Sequence, residues 1–426
     1  METTIHKKSE VLRELEVFVD EQELNSVLDK ALRDIRPRLT LPGFRPGKAP
    51  LNVVKKLHGD AIEGDALEKL AQDKFQLIVE EQKLEPIGRP VMTDLHRHAG
   101  EGAHFRISYE VKPEITVQDF DGVEVEKPIF EITDKEVDER VHYLRFGHAV
   151  REDATKVADK ETIVTLTFQE LEPNESGEQE PPHSTEVYLY DPQVVDKLRE
   201  GLLGKSQGDT FQMLLPKQTP DATSKDVNVE ITIDKVVKLT LPEMTEEFCK
   251  KLSRDKAATE LEVRNLVREE LIETAKRNSD QILESNMVEA LLKRHEFEVP
   301  RTVTYAIIDQ SIQEAREQNR QKGYPEDYGI DVEEYRKGAW SQAEVRAKWL
   351  LLRDKIVEAE SIDATEEDID AAAAKDADQY GIKKENLLEY YRKADEVKER
   401  IKSEKLVEVL KKKFVVKETT PAAQTA

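Results

Sequence analysis

The chain has 426 residues, 38% of them hydrophobic and 36% charged, with 65 Lys and Arg against 89 Asp and Glu for a formal net charge of −24. Such a length supports two to four domains with sizeable cores and much exposed helical surface, while the acidic excess argues against a protein that coats nucleic acid. No apolar run approaches the roughly 20 residues that span a bilayer, and Met1-Glu2-Thr3-Thr4 opens neither a basic nor an apolar leader, so a cytoplasmic location without a membrane is expected.

In chain order, residues 11–19 alternate apolar and polar as a half-buried strand does. Asp20 then offers an N-cap with Glu23 three positions on, and Leu24, Val27, Leu28, Ala31, Leu32 and Ile35 line one face of a helix that Pro37 ends. A short helix over 51–57, a longer one over 63–82 and strands near 91–95 and 103–111 complete an α+β head. A connector then runs through 122–128 to a helix over 134–145. Strands over 161–170, 186–190, 209–215 and 227–237, with a short helix near 192–202, make a small β-rich domain with polar insertions at 172–182 and 217–226. From Pro242 helical periodicity dominates, with breaks expected at Pro300, Gly323-Tyr324-Pro325, Gly338 and Gly381. The helix over 261–292 carries a thin apolar stripe between long charged faces, which predicts arms or an open bundle with apolar grooves. The end, 418–426, lacks the apolar content to fold.

Two signals point to chemistry. Leu41-Pro42-Gly43-Phe44-Arg45-Pro46-Gly47-Lys48-Ala49-Pro50 holds three prolines and two glycines, which forces a turn. Around it, 30–58 contains Lys30, Arg33, Arg36, Arg38, Arg45, Lys48, Lys55 and Lys56 against Asp34 alone, a local charge of +7. A stiff loop presenting Phe44 between cations suits docking at one place on a structured polyanion; in the alternative, Phe44 folds back into the core. Cys249 is the only cysteine, the nine histidines are scattered, and no Gly-Lys-Ser/Thr phosphate loop occurs, so no disulfide, metal, ATP or other cofactor is expected.

At Gly43, Phe44, Arg45, Gly47, Lys48 and Pro50 the loop matches the motif Gly-Phe-Arg-Lys-Gly-Lys-x-Pro of the trigger factor family of bacterial ribosome-associated chaperones, with Pro46 in place of the middle Lys. The run Glu124-Val125-Glu126-Lys127-Pro128 and the order of the domains match as well, so the chain resembles that family over essentially its whole length. The resemblance implies an α+β multidomain protein. Its parts are a ribosome-binding head at 1–112, an extended linker or arm at 113–149, a β-rich domain like the FK506-binding proteins at 150–241, an all-α chaperone domain with arms at 242–417 and an unstructured tail at 418–426. It implies an ATP-independent chaperone, cytoplasmic and partly ribosome-bound. Gly43, Phe44, Arg45, Gly47 and Lys48 would dock on protein and RNA at the tunnel exit of the large ribosomal subunit, and nascent or unfolded polypeptides would be held during folding and export. A homodimer off the ribosome and links to protein transport and the cell cycle belong to the same implication.

The family's middle domain is a peptidyl-prolyl cis-trans isomerase, or rotamase, whose apolar pocket twists the X-Pro amide. By resemblance Phe168, Val195 and Leu198 would form that pocket. Here, however, Thr167 replaces the family Asp, Val195-Asp196-Lys197-Leu198 replaces Ile-Pro-Gly-Phe, and 217–226 lacks the expected Tyr. A working isomerase and an inactive peptide-binding or spacer module both stay open. For the helical end, Ile307, Trp340, Trp349, Leu351 and Tyr391 are the residues assigned to client-binding grooves, with Tyr390 and Phe414 beside them. A scaffold that binds folded partners is the third functional reading.

Overall fold

The computed structural model describes residues 2–42, 44–45, 47–98, 102–171, 181–218 and 224–420. Its contacts gather into two compact units, Met1–Val125 with Ser285–Val415, and Glu126–Glu284 with Val416–Ala426.

The first unit begins with β1 (Glu2–Lys7), β2 (Leu12–Asp20), α1 (Glu21–Ile35), a 3-10 turn (Arg36–Arg38), α2 (Leu51–Gln82), β3 (Pro86–His98) and β4 (Gly102–Val111). The strands form one antiparallel sheet in the order β1-β2-β4-β3. Alternation turns Leu15, Val17 and Val19 to one side opposite Ile107, Phe105 and Ala103, where α1 and α2 cover them with Leu24, Leu28, Leu70, Phe75 and Ile78. Asp20 caps α1 by accepting the Glu23 amide at 2.9 Å. The two helices expected over 51–57 and 63–82 are one helix. Val54 and Ile62 stand two turns apart and sink together into a cluster with Leu32 and Leu41, and this packing carries the helix through Gly59 and Gly64, each of which costs only about 1 kcal/mol.

The second unit is built from α3 (Asp134–Phe146), β6 (Val150–Ala154), β7 (Thr162–Glu170), β8 (His183–Tyr188), α4 (Asp196–Leu202), β9 (Thr210–Gln218), β10 (Ser224–Thr240), α5 (Glu246–Ser253) and the beginning of α6 (Glu260–Arg294), after β5 (Glu124–Pro128). β10 organises the sheet: β7 pairs along one edge, while β9 and β6 share the other. β6 was not expected, because its Arg-Glu-Asp centre hides the strand period. The insertion expected over 217–226 is partly strand, since β9 continues to Gln218 and β10 starts at Ser224; 172–180 and 219–223 lie outside the described residues. α3 packs Val137 and Val141 against Cys249, Val263 and Val267. On its other side His142 stacks on Tyr190 at 3.4 Å between ring centres and meets the Tyr188 hydroxyl at 2.7 Å. That hydroxyl donates to Glu161 at 2.7 Å and therefore accepts from the imidazole.

The first unit resumes with α7 (Arg301–Gln321), α8 (Val332–Ala359), α9 (Glu366–Tyr380), α10 (Lys384–Lys393) and α11 (Asp395–Lys413), and β11 (Val415–Thr419) follows. α7 and α8 pack through Ile307, Ile308 and Ile312 on Ala343 and Ala347. The break expected at Gly338 does not occur. Asp331 caps α8, and Ala339, Trp340 and Ala343 beyond the glycine pack on α7 and hold the helix together. Gly381 does end α9, in the left-handed conformation. The tail expected to be unstructured from 418 instead gives Glu418 and Thr419 to β11, which pairs with β5, because strand pairing satisfies backbone groups without apolar side chains; 421–426 lie outside the described residues. Among the described residues no helix is long and apolar enough to cross a membrane.

Burial lowers the affinity of His142 for a proton, with Glu161 opposing and Arg145 reinforcing the shift. A folded-state value below the unfolded value of about 6.5 means that this contact stabilises fully above that pH and is lost as pH falls. Melting followed between pH 7 and 5 is expected to show a fall in stability that His142→Phe flattens. An unchanged slope in the variant would assign the effect to other groups.

Candidate functional site

The loop between α1 and α2 is fastened at both ends. Leu41 and Ala49 are buried in the small cluster with Leu32, Val54 and Ile62, while the Gly47 amide donates to Leu39 O at 3.2 Å and the Lys48 amide to Arg45 O at 2.9 Å. Gly47 has φ +74°, and a Cβ there would stand 3.1 Å from the Pro37 carbonyl oxygen, so the close return of the chain requires glycine. The fastening leaves Phe44, at 40% exposure, with Arg45 and Lys48 facing solvent. Gly43 and Pro46 lie outside the described residues. Phe44 therefore does not fold back into the core.

The surrounding charge is concentrated and exposed. Of the cations in 30–58, all but the half-buried Arg36 are exposed. Among the described residues none of the eight pairs with a carboxylate, whereas just outside the segment Lys74 meets Glu23 and Arg97 meets Glu63. Unpaired cations around a projecting aromatic can bind phosphate or carboxylate without first breaking an internal ion pair.

In the β-rich domain, Phe168 stacks on His183 at 5.4 Å and the pair walls a trough of about 380 Å³ floored by Leu215, Val227 and Val229, with the Lys217–Glu170 ion pair at 2.5 Å on its rim. Val195 and Leu198 do not line it. Leu198 packs in the core with Leu166 and Leu202, and Val195 is 41% exposed at the start of α4, where Arg199 gathers the carbonyls of Leu189, Asp191 and Val194 and fixes the preceding turn.

The helical residues divide. Trp340, Trp349 and Leu351 are half-buried. Ile307 is in the α7–α8 core, and Phe414 is buried against Phe120. Tyr391 is also internal, its hydroxyl donating at 2.7 Å to Asp376, which accepts from Arg400 at 2.8 Å as well. Burial of these side chains in local helix contacts removes them from any open groove; Tyr390 beside them is 58% exposed. The α7–α8 hairpin presents other aromatics instead. Tyr305 meets Trp340 edge-on at 5.1 Å, and at the turn between the helices Tyr324 and Tyr328 stack at 4.8 Å with most of their surface in solvent. Asn319 holds that turn by donating to the carbonyls of Glu326 and Tyr328, and Arg316 pairs with Asp327. Sequence reasoning missed these tyrosines, although Tyr324-Pro325 and Tyr328-Gly329 at a helix break were the available signal.

Residues 1–144 match the family described as bacterial trigger factor protein, and residues 261–412 match the C-terminus of that family. The trigger factor of Salinibacter ruber is 29% identical over 391 residues, covering 87% of this chain and 83% of its own. That of Chlorobium phaeobacteroides is 26% identical over 430 residues, covering 99% of each. Among solved structures, a chain from a study of promiscuous substrate recognition in folding and assembly activities of the trigger factor chaperone covers 96% of this chain and 98% of its own, with a TM-score of 0.46 and 19% identity. The chain belongs to the trigger factor family. Its function is that of a ribosome-associated chaperone in protein folding, with the ribosome and nascent chains as partners.

Asp376 is held ionised by Arg400 first and Tyr391 second. Asp376→Ala leaves the buried Tyr391 hydroxyl without its acceptor and is expected to cost about 1–3 kcal/mol, read as a lowered denaturation midpoint with increased exposure of Tyr391. A midpoint within error of the parent would show that the helices α9 to α11 do not depend on this carboxylate.

Proposed function

We propose that Phe44, Arg45 and Lys48, with Gly47 shaping their loop and Gly43 part of the same motif, dock this chaperone beside the polypeptide tunnel exit of the large ribosomal subunit, on a ribosomal protein and adjacent RNA. In this reading residues 1–112 are the docking head, 150–241 a peptide-binding module and 242–417 the client-holding part, and the protein works in the cytoplasm without ATP. The single observation that carries the reading is the run of eight cations within residues 30–58, none paired with a carboxylate among the described residues and all but Arg36 exposed, in a chain of net charge −24. The acidic remainder repels RNA and confines attraction to this face, and the absence of Lys at 46 leaves Arg45 and Lys48 the main contacts at the tip.

Clients would be held on the exposed aromatic face of α7 and α8, where Tyr305, Tyr324, Tyr328 and Tyr335 offer apolar area with a polar edge. Burial at roughly 25 cal/mol per Å² over small, charge-ringed patches gives shallow, reversible capture. Off the ribosome the same faces would bring two copies together.

For the β-rich domain we infer peptide binding without isomerisation. The cis–trans barrier of roughly 18–20 kcal/mol is lowered by enclosing the amide, and this trough is walled on one side by the stacked Phe168 and His183, with Val195 exposed away from it.

Arg45→Ala with Lys48→Ala is expected to weaken ribosome co-sedimentation and to flatten its decline with salt, by a slope of about 1–2 for two lost phosphate contacts; equal co-sedimentation would remove the docking assignment. In a proline-limited refolding reaction the full chain should leave the slow rate unchanged. Acceleration that disappears in Phe168→Ala would instead identify an isomerase.

A further inference from the structure

Helix α7 starts without a cap of its own. Its N-cap position is Pro300, which has no side-chain acceptor, and the amides of Val303 and Thr304 turn back to the Pro300 carbonyl at 3.1 and 3.4 Å. The amides of Arg301 and Thr302 remain, and both donate to the carboxylate of Glu110, at 3.1 and 2.8 Å. Glu110 is nearly 200 residues away in sequence, at the end of β4 in the head. A carboxylate on the first turn of a helix satisfies its orphan donors and suits the positive end of its dipole.

Three neighbouring contacts point the same way. Gly88 on β3 has φ +71°, and a Cβ there would lie 2.3 Å from Thr302 Cγ2, so the head meets the first turn of α7 at a distance only glycine permits. The Glu10 amide donates to Glu298 at 3.1 Å and the Glu298 amide to Glu10 at 3.4 Å. His295, buried, gives Nδ1–H to Leu291 O at 2.7 Å, so its Nε2 accepts the Gln118 amide at 2.8 Å. The head sheet and the root of the α7–α8 hairpin are joined by polar contacts of fixed direction.

We propose that Glu110 is a positioning residue: by capping α7 from the head sheet it fixes the direction of the α7–α8 hairpin, so that docking through Phe44, Arg45 and Lys48 also sets where the exposed tyrosines stand. The functional half of this statement rests on the docking reading above; the geometric half does not. Removing the carboxylate frees two amide donors and one hinge, and the hairpin then samples several directions while α7 and α8 stay folded on each other through Ile308, Ile312 and Ala347.

The test is an electron spin distance measurement on the free full-length chain, labelled at Glu80→Cys on α2 and Lys337→Cys on α8, both exposed positions; the native Cys249 is buried. The parent should give one narrow distance peak. Glu110→Ala, and independently Gly88→Ala, should lose that peak to a broad distribution with helix content and ribosome co-sedimentation retained, and Glu110→Gln, which keeps an acceptor oxygen, should restore part of it. A narrow parental peak in both Glu110→Ala and Gly88→Ala would overturn the proposal, as would equal broadening in Glu110→Ala and Glu110→Gln. The distance measurement itself contains no ribosome or client, so failure of the docking reading leaves it untouched and the two fail separately.

Discussion

With 89 acidic and 65 basic residues the chain carries a surplus of carboxylates, and the fold uses part of it. Asp376 accepts from Tyr391 and Arg400 and so pins α9, α10 and α11 together, Lys405 and Thr365 hold Asp368 ionised down to about pH 2, and Lys127 reaches Asp280. Exposed pairs of this kind are each worth little, but they decide which cations stay available to a partner. The eight cations of 30–58 have no carboxylate partner among the described residues, and the exposed Phe44 lies between them in sequence.

Apolar material is spread as thinly as the charge is thick. Each pair or trio of elements closes its own small cluster: α1 with α2, α3 with α5 and α6, α7 with α8, α9 with α10 and α11. Small clusters leave large side chains at their margins, and Tyr305, Tyr324, Tyr328 and Trp340 are such margins. A chaperone needs this arrangement. Faces that completed a single thick core would have no surface to lend, and faces without the polar clasp of Asn319 and Arg316 would not keep stacked tyrosines in one place.

Much of the fold could be read ahead of the structure, because period and punctuation agree with packing over long stretches. The strand at β2, the cap at Asp20, the end of α1 at Pro37 and the end of α9 at Gly381 are local events decided by nearby residues. The misread helix breaks share a cause. The gap around Gly59 and the glycine at 338 look like breaks, yet Val54, Ile62 and Trp340 carry their helices past them, and tertiary packing outweighs about 1 kcal/mol of propensity. At the candidate site, the loop was legible since prolines, glycines and cations coincide in one run. Which aromatics lie outside was not legible, since Tyr390 and Tyr391 are adjacent and alike, and the packing of Tyr391 on Ile369, Ala373 and Ile401 with its hydrogen bond to Asp376 separates the buried ring from the exposed one. Nor could the sequence reveal that Glu110 caps a helix it meets only in three dimensions.

The central claim is that the loop tip touches the ribosome while the helical faces hold the client. It is tested most directly by placing a photoreactive phenylalanine analogue at Phe44 and irradiating the full chain on ribosomes that carry a nascent polypeptide. The account predicts adducts with protein or RNA of the large subunit at the tunnel exit, fading with added salt. Adducts with the nascent chain alone, from a protein that still sediments with ribosomes, would contradict it.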